Sequence, residues 1–262
     1  MHPMSTLLVH LPAALLVVFR IGGLMLFAPI LGSNIVPLRL RILLAFVLGI
    51  AIYPVLQGIG VVTPVGLSLD LASLAPLVAL EILVGLTIGL VASMPLVAMQ
   101  MGGLMMGQQM GLGFATLYNP ALGDEGDVVG QLFFFLALAG FLMISGHEAI
   151  VAAVLHSFEH VPLGAFVADS NVLALVSGML MAAVEVALRV AAPVIAIIFL
   201  QSIAMGFVSR TVPQLNILSL GFPLRLLVGF GVMLASLVVI DEVAMEAIDD
   251  TLASINHWMM AA

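Results

Sequence analysis

Apolar residues run through this chain in long blocks, with neither the strict alternation of a half-buried strand nor the narrow stripe of a surface helix. Six blocks stand out: Thr6–Leu31, Ile42–Leu56, Leu71–Val97, Val128–Ser145, Val172–Val208 and Leu226–Ile240. A helix needs about 20 residues to cross the hydrocarbon of a bilayer. The pattern therefore predicts an all-α, multi-helix membrane protein. Two stretches overshoot a single crossing. Ile82–Gly123 carries no formal charge but is studded with Gly and Pro, which predicts a break near Pro95 or after Gly111. Val172–Val208 is also too long for one simple span, and a kink is expected at Pro193. Only the tail differs. In Asp241–Ala262, Ile248, Leu252, Ile255 and Met259 recur at helical spacing opposite Glu242, Glu246, Asp249 and Asp250. That is an amphipathic helix needing one partner surface, on its own protein or on another.

Composition agrees. The chain is 63% hydrophobic and 8% charged, with a mean hydropathy of +1.32, whereas soluble domains carry about 25% charged residues. Lipid or other apolar protein must be the solvent for most of this surface. All six cations are arginines, Arg20, Arg39, Arg41, Arg189, Arg210 and Arg225. A net charge of −8 excludes nucleic acid as a partner, since phosphates require clustered cations. The absence of cysteine excludes disulfides, thiolate metal sites and cysteine nucleophiles. No Lys or Arg precedes the first apolar block, so it is read as a retained helix rather than a cleaved signal. Arg39 and Arg41 lie between the first two blocks, and Arg210 and Arg225 bracket the last turn. Placing both turns in the cytoplasm puts both termini outside, with an even number of crossings.

Candidate chemistry concentrates after Glu81. Gly103, Gly107 and Gly111 stand four apart, a small-residue stripe that admits close backbone approach on a helix. Around it Met94, Met99, Met101, Met105, Met106 and Met110 make up six of the chain's 17 methionines. Thioether side chains are unbranched and deformable. The stretch is thus either plain helix packing or a seal that yields. From Gly111 through Gly113, Phe114, Leu117, Tyr118 and Pro120, the glycines and the Asn-Pro signal predict irregular backbone. At membrane depth such backbone must lie against protein or a wet cavity, which suits a conduit-lining loop.

Four charges lie inside apolar blocks and are expected to be buried: Arg20, Glu81, Glu185 and Arg189. Glu185 and Arg189 are four apart with the acid first, the favourable helical order, and read as a structural ion pair or a proton relay. Arg20 and Glu81 have no local partner and pair with each other or with another subunit. His147, Glu148, His156, Glu159 and His160 invite a metal reading, but the nine-residue step from His147 to His156 is not that of a zinc protease. No phosphate loop, dinucleotide fingerprint or nucleophile elbow occurs, and no cofactor or catalytic activity is expected.

Three sets of residues together resemble the FliR family, whose injectisome relatives are called SctT. The first is Arg20-Ile21-Gly22-Gly23, Ala28-Pro29, Pro37-Leu38-Arg39-Leu40-Arg41 and Pro54. The second is Gly107-Gln108-Gln109-Met110-Gly111, Phe114-Ala115, Asn119-Pro120 and Gly130-Gln131. The third is Arg189-Val190-Ala191-Ala192-Pro193, then Arg210-Thr211-Val212-Pro213-Gln214-Leu215-Asn216 and Gly221-Phe222-Pro223-Leu224. Their order and spacing cover about residues 15–240, and the Pro-Gln-Leu-Asn run favours the flagellar branch.

The resemblance implies a subunit of a flagellar type III export gate in the bacterial inner membrane and flagellar basal body. FliP-like and FliQ-like subunits would assemble with it, an FlhB-like protein would engage its cytoplasmic side, and flagellar polypeptides would be its cargo. Residues 1–168 would be FliP-like and residues 169–262 a FliQ-like hairpin. A loop at about 106–120 would plug the lumen, and Arg210, Pro213, Gln214, Asn216, Gly221 and Pro223 would form a cytoplasmic turn. The family is not known as an enzyme. From the residues alone, a secondary transporter coupled through Glu185–Arg189 and a membrane metalloenzyme using the histidines remain rivals.

Overall fold

The computed structural model describes residues 3–32, 36–62, 71–113, 127–166, 170–211 and 217–261. Among these residues the regular structure is entirely helical: α1 Pro3–Phe27, α2 Leu38–Gly58, α3 Leu71–Met110, α4 Val128–Met143, α5 Gly146–His160, α6 Ser170–Thr211, α7 Ile217–Ala235 and α8 Leu237–Ala261. Among the described residues four helices are long and apolar enough to cross a membrane, or up to six if each bent pair (α4 with α5, α7 with α8) counts as one span.

The long blocks resolve differently from expectation. α3 runs unbroken through Pro95 and ends only at Met110, so the second of the two anticipated break points is the real one. Proline lacks an N–H and leaves the carbonyl four residues back, here that of Val91, without its helical donor. Nearby, the Ser93 hydroxyl donates to Leu90 O at 2.7 Å. Local hydroxyls and tight packing let membrane helices tolerate such prolines. α6 is likewise continuous through Pro193, 42 residues in all, about 63 Å at 1.5 Å per residue. The block Leu226–Ile240 is corrected: it straddles a 57° bend between α7 and α8. Ser236 sits at that bend, its hydroxyl donating to Val232 O at 2.8 Å and its N–H shared between Val232 O and Met233 O. A side chain that competes for backbone carbonyls is a known source of helix bending.

The chain forms two compact units. One comprises Met1–Met94, Ser145–Met179 and Asp250–Ala262, the other Pro95–Ile144 and Leu180–Asp249. α3, α6 and α8 each pass from one unit into the other. In the first unit α1 and α3 meet backbone to backbone. A Cβ on Gly23 would strike Ile82 O, one on Gly85 would strike Arg20 O, and one on Gly89 would lie 2.6 Å from Leu24 O. Leu16, Ile21, Val84, Ile88 and Phe158 fill the core around this crossing. In the second unit Met99, Met106, Phe133, Phe141 and Ile198 are fully buried. Met is the side chain that best fills irregular gaps.

The tail is the expected amphipathic helix, and its apolar face is covered by its own protein. Ile248 is buried in the second unit, as are Ile255 and Met259 in the first, while Glu242, Glu246, Asp249 and Asp250 remain exposed. Trp258 stacks edge-on to Phe166.

Candidate functional site

The Gly–Met end of α3 lies in the second unit. A Cβ on Gly103 would stand 2.7 Å from Gly130 Cα of α4, so this glycine permits contact between backbones. Gly107 makes only ordinary contact, its Cβ position 3.6 Å from the Val129 side chain. Gly111 stands at the helix end, where a break was one of the two expected. Its φ is +91°, Gly111 N donates to Gln108 O and Leu112 N donates to Gly107 O, both at 3.0 Å. These two bonds and a left-handed glycine make a Schellman cap, which satisfies carbonyls that a helix end otherwise leaves open. Met106 and Met110 are fully buried, Met105 half so. Gly113 follows the cap; Phe114, Leu117, Tyr118 and Pro120 lie outside the described residues.

The buried charges Arg20 and Glu81 choose each other. Arg20 Nε donates to Glu81 Oε2 at 2.6 Å, and both side chains have no exposure. Arg20 Nη1 donates to Ser157 O and Ser157 Oγ at 2.9 and 3.1 Å, and Nη2 donates to Val161 O at 3.0 Å. The guanidinium also lies 4.3 Å from the centre of the Phe158 ring. Glu81 Oε1 accepts from Gly164 N at 2.8 Å. Gly164, at φ +73°, occupies the third position of a turn closed by Ala165 N donating to Pro162 O, where positive φ favours glycine. Arg20 thus joins α1 to α3 and also occupies the carbonyl end of α5, where a cation complements the helix dipole. Both carboxylate oxygens are engaged, so the cluster is a closed clamp within the first unit.

Glu185 and Arg189 also pair, Arg189 Nη2 donating to Glu185 Oε1 at 2.8 Å. The expectation that they are buried is corrected: their side chains are 63% and 52% exposed. They project from a face of α6 whose neighbours Leu180, Met181, Val184 and Leu188 are exposed as well. Glu246 of α8 approaches Arg189 Nη1 at 3.7 Å. The triad carries one net negative charge.

The remaining candidates are dispersed. His156 Nδ1 pairs with Glu159 at 3.0 Å and His160 Nδ1 lies 3.1 Å from His156 O, a local arrangement on the exposed face of α5. Arg210 closes α6, Gly221 and Pro223 lie inside α7, and Pro213, Gln214 and Asn216 lie outside the described residues. Arg225 Nη2 donates to Ser202 Oγ at 2.9 Å, which ties α7 to α6 beside this turn.

Comparison with known proteins decides the lineage. The family model described as bacterial export proteins, family 1, matches residues 11–251. The flagellar biosynthetic protein FliR of Bacillus subtilis (strain 168) is 30% identical over 98% of both chains. FliR of Escherichia coli (strain K12) is 32% identical over 82% of this chain and 80% of its own. FliR of Aquifex aeolicus (strain VF5) is 26% identical over 85% and 84%.

The chain belongs to the FliR family of bacterial export proteins.

The family match takes in the Arg20–Glu81 clamp, the Gly–Met end of α3 and the α6–α7 turn. A membrane-bound component of an export apparatus agrees with the apolar helices of this FliR-family chain. Sequence reasoning passed over Gly85, Gly89 and Gly229, and placed Glu246 only on the polar face of the tail. Gly85 and Gly89 repeat the four-residue spacing noticed at Gly103 and Gly107 and were open to the same argument. Gly229 and Glu246 owe their roles to neighbours distant in sequence and carry no local signal.

Proposed function

We propose that this FliR-family chain is a subunit of the flagellar type III protein export gate. It forms the protein-conducting channel with FliP-like and FliQ-like subunits and closes it with the segment 106–120. The observation that carries this reading is the charged triad of Glu185 and Arg189, on an uncovered apolar face of α6, with Glu246 of α8. A charge facing acyl chains at mid-bilayer costs about 2.5–3.5 kcal/mol on insertion scales. Intramembrane charges accordingly face protein or water-filled cavities, so this face of α6 suits a subunit contact better than lipid.

In this reading residues 1–168 play a FliP-like part and residues 169–262 supply a FliQ-like hairpin. Arg210 at the end of α6 and Gly221 and Pro223 within α7 flank its cytoplasmic turn, which includes Pro213, Gln214 and Asn216 and is approached by an FlhB-like protein. Met105, Met106, Gly107, Met110, Gly111 and Gly113 make the base of the seal, and Phe114, Leu117, Tyr118 and Pro120 its body. The assembly resides in the inner membrane within the flagellar basal body, and the cargo is flagellar polypeptide. The fully buried methionines and the Schellman cap support a firm base from which a closing segment leaves the helix.

Deleting Gly113–Leu117 tests the seal. The deleted chain is expected to assemble with its partner subunits and to make the membrane leaky to ions and small solutes, only in cells that also carry those partners. Normal assembly with an ion-tight membrane and undiminished export would show that the segment closes nothing.

A further inference from the structure

The end of α3 is seated on three helices of its own compact unit. A Cβ on Gly102 would lie 3.0 Å from Ala187 O and from the Val190 side chain of α6, and Gly103 abuts the backbone of Gly130 in α4. The last helical residue, Met110, occupies the space in which residue 229 of α7 would carry a side chain. The ideal Cβ position of Gly229 is 2.5 Å from Met110 Cγ and closer still to its Sδ, and Ile198 of α6 closes the seat at 3.5 Å. Met110 and Ile198 are both buried. Any side chain at 229 would collide with Met110, and the neighbouring buried groups leave it little room to yield. One residue beyond, the Schellman cap ends the helix at Gly111.

We propose that Gly229 is a positioning residue for the channel seal. Its missing side chain lets Met110 lock the end of α3 onto the α6–α7 hairpin, and this joint stays seated while substrate passes. The inference rests on the seal reading above. It adds that the base of the seal is a fixed mount built from the C-terminal hairpin, with Met110 as the peg and Gly229 as the socket.

The chain contains no cysteine, so the double substitution M110C/G229C creates a single possible intramolecular disulfide. A sulfur at position 110 takes the place of Met110 Cγ, within reach of one at 229. In cells carrying the full gate, a mild oxidant is expected to form this bond in the assembled complex, with export and ion-tightness the same as those of the identical double variant kept reduced. Thiols that stay free in the assembled gate, or a bond that forms and stops export, would overturn the fixed mount. A second pair addresses positioning without cross-linking. Gly229→Val is expected to displace Met110 and cause an ion leak or failed assembly, and adding Met110→Ala to relieve the overlap should restore tightness. Gly229→Val as tight as the parent, or a double variant no better than the single one, counts against the socket. These readouts separate from the seal itself. If deletion of Gly113–Leu117 leaves the membrane tight, the seal reading fails, while the disulfide still reports whether the end of α3 moves during export.

Discussion

Arg20 and Arg189 each face a glutamate, one across two helices and the other a single turn back along its own helix. The first pair is fully enclosed and saturated by backbone carbonyls, a hydroxyl, an aromatic face and the Gly164 N–H. The second is exposed, and a helical pair of that kind contributes only about 0.3–0.5 kcal/mol when solvated. Breaking a buried pair from one side leaves an uncompensated charge and costs about 3–5 kcal/mol. Arg20→Met should therefore lower the thermal unfolding midpoint of the detergent-solubilised complex sharply, and Glu81→Gln should lower it too. Arg20→Met combined with Glu81→Leu should recover part of the loss, because no charge is then stranded. Single variants that melt like the parent would mean the clamp contributes nothing. The sequence showed two embedded charges without local partners; it could not choose between mutual pairing and another subunit. Their 61-residue separation lies beyond anything periodicity reports.

At the scale of elements, helix existence was legible and helix interruption only in part. The blocks announced α1, α2, α3, α4, α6 and α7, because apolar composition over 15 or more residues is a local property. Of the two break points open in the third block, Pro95 lies within α3 and the helix ends at Met110, whereas Ser236 marks a bend that no proline or glycine signals. Whether a carbonyl freed by proline finds another donor depends on the groups packed around it. Glycines show the same division. Gly85 presses on the Arg20 carbonyl in the α1–α3 crossing, while Gly178 of α6 has nothing within 4 Å of its Cβ position. Gly85→Ala is expected to destabilise by at least the 1–3 kcal/mol or so of an overpacked core. Gly178→Ala should be neutral or stabilise by roughly 0.5–1 kcal/mol through its backbone entropy. Thermal midpoints of the two purified variants make the comparison; equal midpoints would mean that α1 and α3 do not meet as closely as described.

For the whole molecule the question is what covers the apolar surface left open. Only 22% of the α2 span is buried, against 50% for α1, with Leu38, Ile42, Leu43 and Val55 all more than half exposed. α6 is similarly uncovered, with Met181, Phe199 and Phe207 among its most exposed residues. Surfaces of this size mark lipid or protein contacts, or an aggregation hazard when neither is present. Expressed alone, the chain is expected to be degraded or to aggregate, and co-expression with FliP-like and FliQ-like subunits should yield a co-purifying complex. A long-lived, monodisperse monomer from solitary expression would argue that lipid alone satisfies these faces and would count against the gate reading.

What the sequence determined by itself was the solvent, the helices and the lineage. Each follows from local composition or from motifs whose order survives in a linear reading: charge-poor blocks demand lipid or apolar protein, and the runs around Arg20, Gly107 and Arg210 identify the family. Tertiary structure decided the pairing of Arg20 with Glu81, the exposure of Glu185 and Arg189, the addition of Glu246, and the seat of Met110 against Gly229. The physical reason is common to all of these. Close packing and hydrogen-bond satisfaction are set by atoms that meet across tens to more than a hundred positions, such as the 141 between Arg20 and Val161. A side chain's own neighbours in sequence carry no record of which distant carbonyl, carboxylate or missing Cβ it will find.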